Sequence, residues 1–237
     1  MRVGIILAGG SSERLNELGV PKQFIKVGGV PLIMYCLRMF ENCASIDALA
    51  IVSPEQWQEQ ILKWLEKYGI NKFKIFALSG KTRQYSIYNG LLAVQSLQPE
   101  LVIIHDAARP LVSEQDIHNC IDESNGYDGA TPAMPLTETV YLSEDGATIS
   151  ALLNRDKLLA GQTPECYNYA KYLKAHETFS DTGFVDIRGS SEMAVKAGMK
   201  IHLYKGNPQN FKVTTIVDFK CVKYFIEERA NESMDIA

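Results

Sequence analysis

The chain has 237 residues, 46% of them hydrophobic and 22% charged, and carries a formal charge of −4. That length buries a real core, in one large domain or two small ones. The acidic balance excludes a role resting on a broad basic field for nucleic acid or an anionic membrane surface.

No apolar run approaches the roughly 20 residues of a membrane span, and Met1-Arg2 leads straight into the first apolar segment, which predicts a cytoplasmic protein without a leader. The five cysteines are odd in number and lack CxxC spacing, so free thiols are expected. The four histidines show no ligand spacing, which argues against zinc.

Val3 to Leu7 is a β-branched run too short for a buried helix, and reads as a central strand. It ends at Ala8-Gly9-Gly10-Ser11-Ser12, where paired glycines can turn backbone N–H groups toward an anion. Arg14 and Lys22 follow, with Pro21 fixing the backbone before the lysine. Strand, glycine turn and two cations read as a phosphate cradle. It is neither a P-loop nor a dinucleotide fingerprint, since no Gly-Lys-Ser/Thr closes it and the next glycine is Gly19.

Downstream, helices are expected over 31–43, 55–68 and 82–97, and strands over 47–52, 72–78 and 101–104. Trp57 and Trp64 recur at helical spacing and read as core. Ser113, with Asp116 three residues on, suits a capping box. This alternation argues a parallel sheet with right-handed crossovers and ligands beyond its carboxyl edge.

From Asp128 the pattern changes. Gly129 to Pro135 is strand-like with two prolines. Thr139–Leu142 and Ala147–Ser150 predict a hairpin around a four-residue turn. Helices near 167–179 and 190–197, a strand over 200–204, a closing helix near 217–230 and a frayed tail complete the expectation.

His105-Asp106-Ala107-Ala108-Arg109-Pro110 follows the fourth strand. Asp106 either caps a turn and pairs with Arg109, or meets a hydroxyl or a metal such as Mg²⁺. Gly80-Lys81-Thr82-Arg83-Gln84-Tyr85-Ser86 has Thr82 as helix cap.

The string LAGG-x3-R followed by PKQF resembles the signature loop of nucleotidyltransferases that make nucleotide-activated sugars and alditols. Together with HDAARP, G-x-x-R-x-x-S, GQTP and N-F-K-V-T at 210–214, it is most similar to the cytidylyltransferases of 2-C-methyl-D-erythritol 4-phosphate and ribitol 5-phosphate. The resemblance spans residues 7 to 214. Ser12 stands where that family usually has glycine, and the segment around Asp186 departs from its acidic string.

The resemblance implies a single α/β domain over residues 1–237. Its sheet is Rossmann-like, mixed and mostly parallel, flanked by helices, with a dimerisation arm projecting at about 137–156. It implies CTP and a small alditol phosphate as partners, Mg²⁺ as cofactor, and a homodimer. Leu7, Ala8, Gly9, Gly10 and Ser11 would face the triphosphate. Gly80 and Ser86 would face the cytosine edge, with Arg83 and Ala107 beside the nucleotide. Asp106 would stand at ribose, phosphates and metal. Arg14, Lys22 and Lys212 would be catalytic, and Arg109, Thr139, Arg155 and Thr163 would contact the acceptor. Ribitol 5-phosphate is narrowly favoured over 2-C-methyl-D-erythritol 4-phosphate. A sugar-phosphate nucleotidyltransferase using another nucleotide stays open, as does a silent nucleotide-binding module.

Overall fold

The computed structural model describes residues 1–10, 20–180, 184–185 and 187–234, with side chains as far as Glu228. An eight-stranded mixed sheet forms the centre. Its strands are β1 (Arg2–Leu7), β4 (Ala48–Ser53), β5 (Phe73–Leu78), β6 (Leu101–Asp106), β7 (Gly129–Pro135), β10 (Leu159–Gly161), β11 (Glu165–Asn168) and β12 (Ile201–Lys205). The order is β10-β7-β11-β6-β1-β4-β5, with β12 paired to β7. β6, β1, β4 and β5 are mutually parallel, and β11 and β10 run antiparallel to their neighbours. Two small ribbons stand apart: β2 (Lys26–Val27) with β3 (Val30–Pro31), and β8 (Val140–Leu142) with β9 (Ala151–Leu153).

Period-two alternation splits the core. Ile6, Leu49, Ile51 and Ile103 face α1 (Leu32–Asn42), α2 (Glu55–Lys67) and α4 (Glu114–Asp122). Val3, Ile5, Ala50, Val102 and Ile104 face α3 (Arg83–Ala93), α5 (Tyr169–Ser180) and α6 (Ser190–Lys196). The closing helix α7 (Ile216–Met234) covers a smaller cluster around Leu32, Leu111 and Val213. Trp64 is core as expected, and Phe24 stacks on Trp57 at 4.4 Å. Ser113 and Asp116 close both halves of the capping box.

Several boundaries differ from expectation, each for a local reason. The fourth strand continues through His105 and Asp106, because β1 pairs with it to Leu7↔Asp106. The third helix stops at Ala93 and a separate 3-10 turn, Gln95–Leu97, ends with Gln98 in the left-handed region. β11 was not expected. It precedes α5, which starts at Tyr169 rather than 167. The hairpin's second strand is 151–153, not 147–150. Asp145 Oδ1 accepts the N–H groups of Ala147 and Thr148, both at 2.8 Å, so those residues belong to the turn. α7 runs through the segment expected to fray, as far as Met234.

Candidate active site

β1 hydrogen-bonds to β4 on one side and to β6 on the other, all three parallel, so the order in which the chain adds strands to the sheet reverses at β1. A cleft of about 400 Å³ opens where these strands end. It is lined by Leu7, Gly9, Gly10, Lys22, Gln23, Gly80, Lys81, Thr82, Arg83, Ser86, Asp106, Ala108 and Lys212. Lys22, Lys81, Arg83 and Lys212 face a single carboxylate, which makes the cleft a receptor for a polyanion although the chain as a whole is acidic.

The PKQF turn braces the glycine loop. Phe24 is held by Trp57 and Trp64, with ring centroids at 4.4 and 5.8 Å. The buried Gln23 amide donates to the carbonyls of Ala8 at 2.6 Å and Gly10 at 3.3 Å. Lys22, one residue earlier, is thereby set at the cleft wall. A Cβ on Gly9 would lie 2.4 Å from Ser79 Cβ, so only glycine lets the loop cross the end of β5.

Gly80 begins the opposite wall. A Cβ there would meet Tyr85 Cβ at 2.3 Å. The Gly80 N–H donates to Ser86 Oγ at 3.0 Å, and that hydroxyl donates to the Thr82 carbonyl at 3.1 Å. The hydroxyl therefore keeps one acceptor lone pair. Thr82 caps α3, as its sequence position suggested, by accepting from Tyr85 N–H at 3.3 Å.

Asp106 is the electrostatic centre. Its Oδ1 accepts from Arg83 Nε at 3.2 Å and its Oδ2 from Lys212 Nζ at 2.8 Å, with Arg109 Nε at 3.9 Å. Burial alone would raise its pKa, but the Arg83, Lys212 and Arg109 charges hold it well below the usual carboxylate range. Pairing with Arg109, one of the two sequence readings, is thus the longest of its three ion pairs.

Behind Asp106 runs a chain of fully used donors. Its N–H donates to Thr163 Oγ1 at 3.2 Å, and Thr163 Oγ1 lies 3.0 Å from His105 Nδ1. His105 Nε2 lies 3.2 Å from the Arg109 carbonyl, which can only accept. Nε2 therefore carries the proton and Nδ1 receives the threonine hydroxyl. Burial lowers the His105 pKa to about 4, which keeps that neutral form.

Arg109 Nη1 donates to the Asn210 carbonyl at 2.8 Å, Asn210 Nδ2 donates to the Thr163 carbonyl at 2.7 Å, and Val213 N–H donates to the Ala108 carbonyl at 2.8 Å. The segment 210–213 is latched to the site, and the latch sets Lys212.

Of the residues expected at the acceptor, Thr163 and Arg109 are buried behind the cleft lining, where their polar groups support Asp106 and the latch. Thr139 and Arg155 stand exposed on the arm, where Arg155 donates to the Thr137 carbonyl at 2.7 Å. Ala8 and Ala107 are buried beneath the loops. Ser11, Ser12, Arg14 and Asp186 lie outside the described residues.

Sequence reasoning missed Gln23, His105, Asn210 and Glu165. Glu165 is 4% exposed at the start of β11. It accepts from Thr131 Oγ1 at 3.0 Å, Tyr167 OH at 3.1 Å, Ser191 Oγ at 2.8 Å and the Ser190 hydroxyl, and stands 3.6 Å from Arg83 Nη2. Gln23 lay in a quoted string, but nothing at Glu165 marked it.

The family model of 2-C-methyl-D-erythritol 4-phosphate cytidylyltransferase, IspD, matches residues 3–228. A ribitol-5-phosphate cytidylyltransferase of Streptococcus agalactiae serotype V is 30% identical over 236 residues, covering 99% of this chain and 98% of that one. A 2-C-methyl-D-erythritol 4-phosphate cytidylyltransferase of Clostridium botulinum is 36% identical over 225 residues, covering 94% and 96%. The crystal structure of 4-diphosphocytidyl-2C-methyl-D-erythritol synthase from Anaerococcus prevotii superposes with a TM-score of 0.82 at 24% identity, over 96% of each chain, and so shares the fold.

Proposed function

This chain belongs to the IspD family of cytidylyltransferases, and from that premise we propose that it transfers CMP from CTP to ribitol 5-phosphate, or a close alditol phosphate, with release of pyrophosphate. The observation that carries the reading is the cleft at the switch point, with four cations against one carboxylate. A phosphate oxygen of the acceptor attacks the α-phosphorus in line and the β-phosphate oxygen leaves. No protein nucleophile takes part, so catalysis consists of positioning and of neutralising charge on the equatorial oxygens. Lys22, Lys212 and Arg14 act on that charge. The Gly80–Ser86 loop receives the base, and Asp106 stands beside the ribose and phosphates.

Mg²⁺ fits as an ion carried in on the triphosphate. Among the described residues no cluster of three or more His, Cys, Asp or Glu could cage a metal, and Asp106 is the one carboxylate lining the cleft. A small hard cation uses one or two carboxylates and takes the rest of its shell from phosphates and water. Asp106 would hold it, and the ion would neutralise phosphate charge. The arm exposes Tyr141, Leu142, Ile149 and Leu152, and that apolar ribbon supports a homodimer in which the arm reaches a neighbour.

A second acceptor, 2-C-methyl-D-erythritol 4-phosphate, is favoured by HDAARP at 105–110. Pyrophosphate release across four nucleotides and a panel of alditol and sugar phosphates separates these readings. CTP with ribitol 5-phosphate should give the highest kcat/KM. A higher value with methylerythritol phosphate overturns the acceptor, and equal rates with UTP overturn the base pocket.

A further inference from the structure

We propose that Glu165 is a positioning residue, a fixed counter-charge that keeps Arg83 on the cleft wall when Asp106 turns from it to an incoming ligand. The inference rests on the nucleotide reading of the cleft. The pleat supplies the geometry. Glu165 pairs with Ile104 across β11 and β6, and Asp106 is two residues beyond Ile104. All three side chains therefore leave the same face of the sheet. Arg83 lies between the two acids, 3.2 Å from Asp106 Oδ1 and 3.6 Å from Glu165 Oε2. Its Nη1 donates to Ser190 Oγ at 2.8 Å, and that hydroxyl donates to Glu165.

The two acids differ in what they can do. Asp106 lines the cleft and has cations on both oxygens, so a ligand can compete for it. Glu165 does not line the cleft. Hydroxyls from Thr131, Tyr167, Ser190 and Ser191 anchor it to β7, β11 and α6. A guanidinium cannot shed its proton, and stranding it without an anion is costly. With Asp106 withdrawn, Glu165 and Ser190 are the partners that remain to hold Arg83.

The alternative is that Glu165 merely ties β11 to α6. Asp106→Ala and Asp106→Ala/Glu165→Gln separate the two without any nucleotide. The Arg83 Nη–H resonances, from the nitrogens that face Ser190 and Glu165, are assigned by their loss in Arg83→Lys. They should stay slowly exchanging in Asp106→Ala, and exchange at least tenfold faster in the double variant. Loss in Asp106→Ala alone, or retention in the double, overturns the proposal. If Glu165→Gln fails to fold, Ser190→Ala replaces it with the same expected outcome, because it removes the hydroxyl bridging Arg83 and Glu165.

A double-mutant cycle on CTP binding by calorimetry, without acceptor, is the second readout. Glu165→Gln should weaken binding about tenfold in the unaltered protein, and less than twofold in an Arg83→Gln background. An equal loss in both backgrounds means a merely structural role and overturns the proposal. If the unaltered protein binds no nucleotide, the reading of the cleft fails, while the exchange measurement still decides whether Glu165 holds Arg83.

Discussion

The cleft lies at the ends of the central strands and the arm is a ribbon apart from them, and the two are held by opposite means. In the cleft the main partners are far away in sequence: Asp106 reaches Arg83 and Lys212, and Arg109 reaches Asn210. In the arm the partners lie within the arm itself. Asp145 gathers Ser143, Ala147 and Thr148, and Arg155 reaches back to Thr137. Asp106, Arg109, Thr163 and Asn210 at the floor of the cleft are buried and bonded inside one chain, whereas the arm leaves Ile149 and Leu152 more than 60% exposed. A region fixed by long-range bonds is ready for chemistry as it stands. A region fixed only by its own turn holds its shape but awaits a surface.

The sharpest way to break this contrast is Lys22→Ala. If the cleft acts through preset charge, kcat falls by about 10²-fold or more, the scale of a lost transition-state donor, while CTP affinity falls less. A rise in KM alone, measured by steady-state pyrophosphate release, reduces Lys22 to a binding residue. The arm is tested by mixing. Lys22→Ala and Arg155→Ala, each inactive, should after subunit exchange regain about a quarter of the normal rate, since half the dimers are mixed and each has one intact site. Confirmed exchange without recovery would show that Arg155 does not act across an interface.

Acid sharpens the comparison further, because the arm carries no histidine while the body of the molecule buries two. His105 and His176 are both lowered by burial from 6.5 to about 4. The unfolded chain takes up these protons near pH 6.5 and the folded chain near 4. Stability should be flat with respect to them above about pH 6.5, and should fall as pH drops from there to 4, by on the order of 3 kcal/mol for each histidine. Denaturant midpoints at several pH values, compared with His105→Gln and His176→Gln, measure this, and an unchanged midpoint between pH 7 and 4.5 rejects it. Asp106, lowered by its cations, adds a loss only at more acid pH. The smallest effect belongs to Ser113→Ala, which removes the α4 capping box and should cost about 1 kcal/mol by thermal melting, with kcat unchanged.

Much of the cleft was legible because its cations and glycines sit in short strings with their own chemical logic: AGG with Lys22, Gly80 with Arg83, Asp106 after an apolar run. What spacing could not reveal was who meets whom. Arg109 is near Asp106 in sequence yet mainly grips Asn210, while Lys212, 106 positions away, makes the short bond. Glu165 was hidden because β11 is only four residues long, with its polar members turned to the buried network, so neither alternation nor an apolar run betrays it. The hairpin slipped by several residues because Ala147-Thr148-Ile149 has strand-forming side chains, but Asp145 captures its N–H groups first.

The latch at 210–213 orders events during synthesis. The chain emerges N-terminus first, and by residue 205 all eight strands of the sheet have been made. A product ending there has the glycine loop, Arg83 and Asp106, but Asp106 lacks its 2.8 Å partner Lys212, and Arg109 lacks the Asn210 carbonyl. Chains that end there carry every strand of the sheet without the completed site. Only a ribosome that has read past Lys212 releases a chain with its site complete.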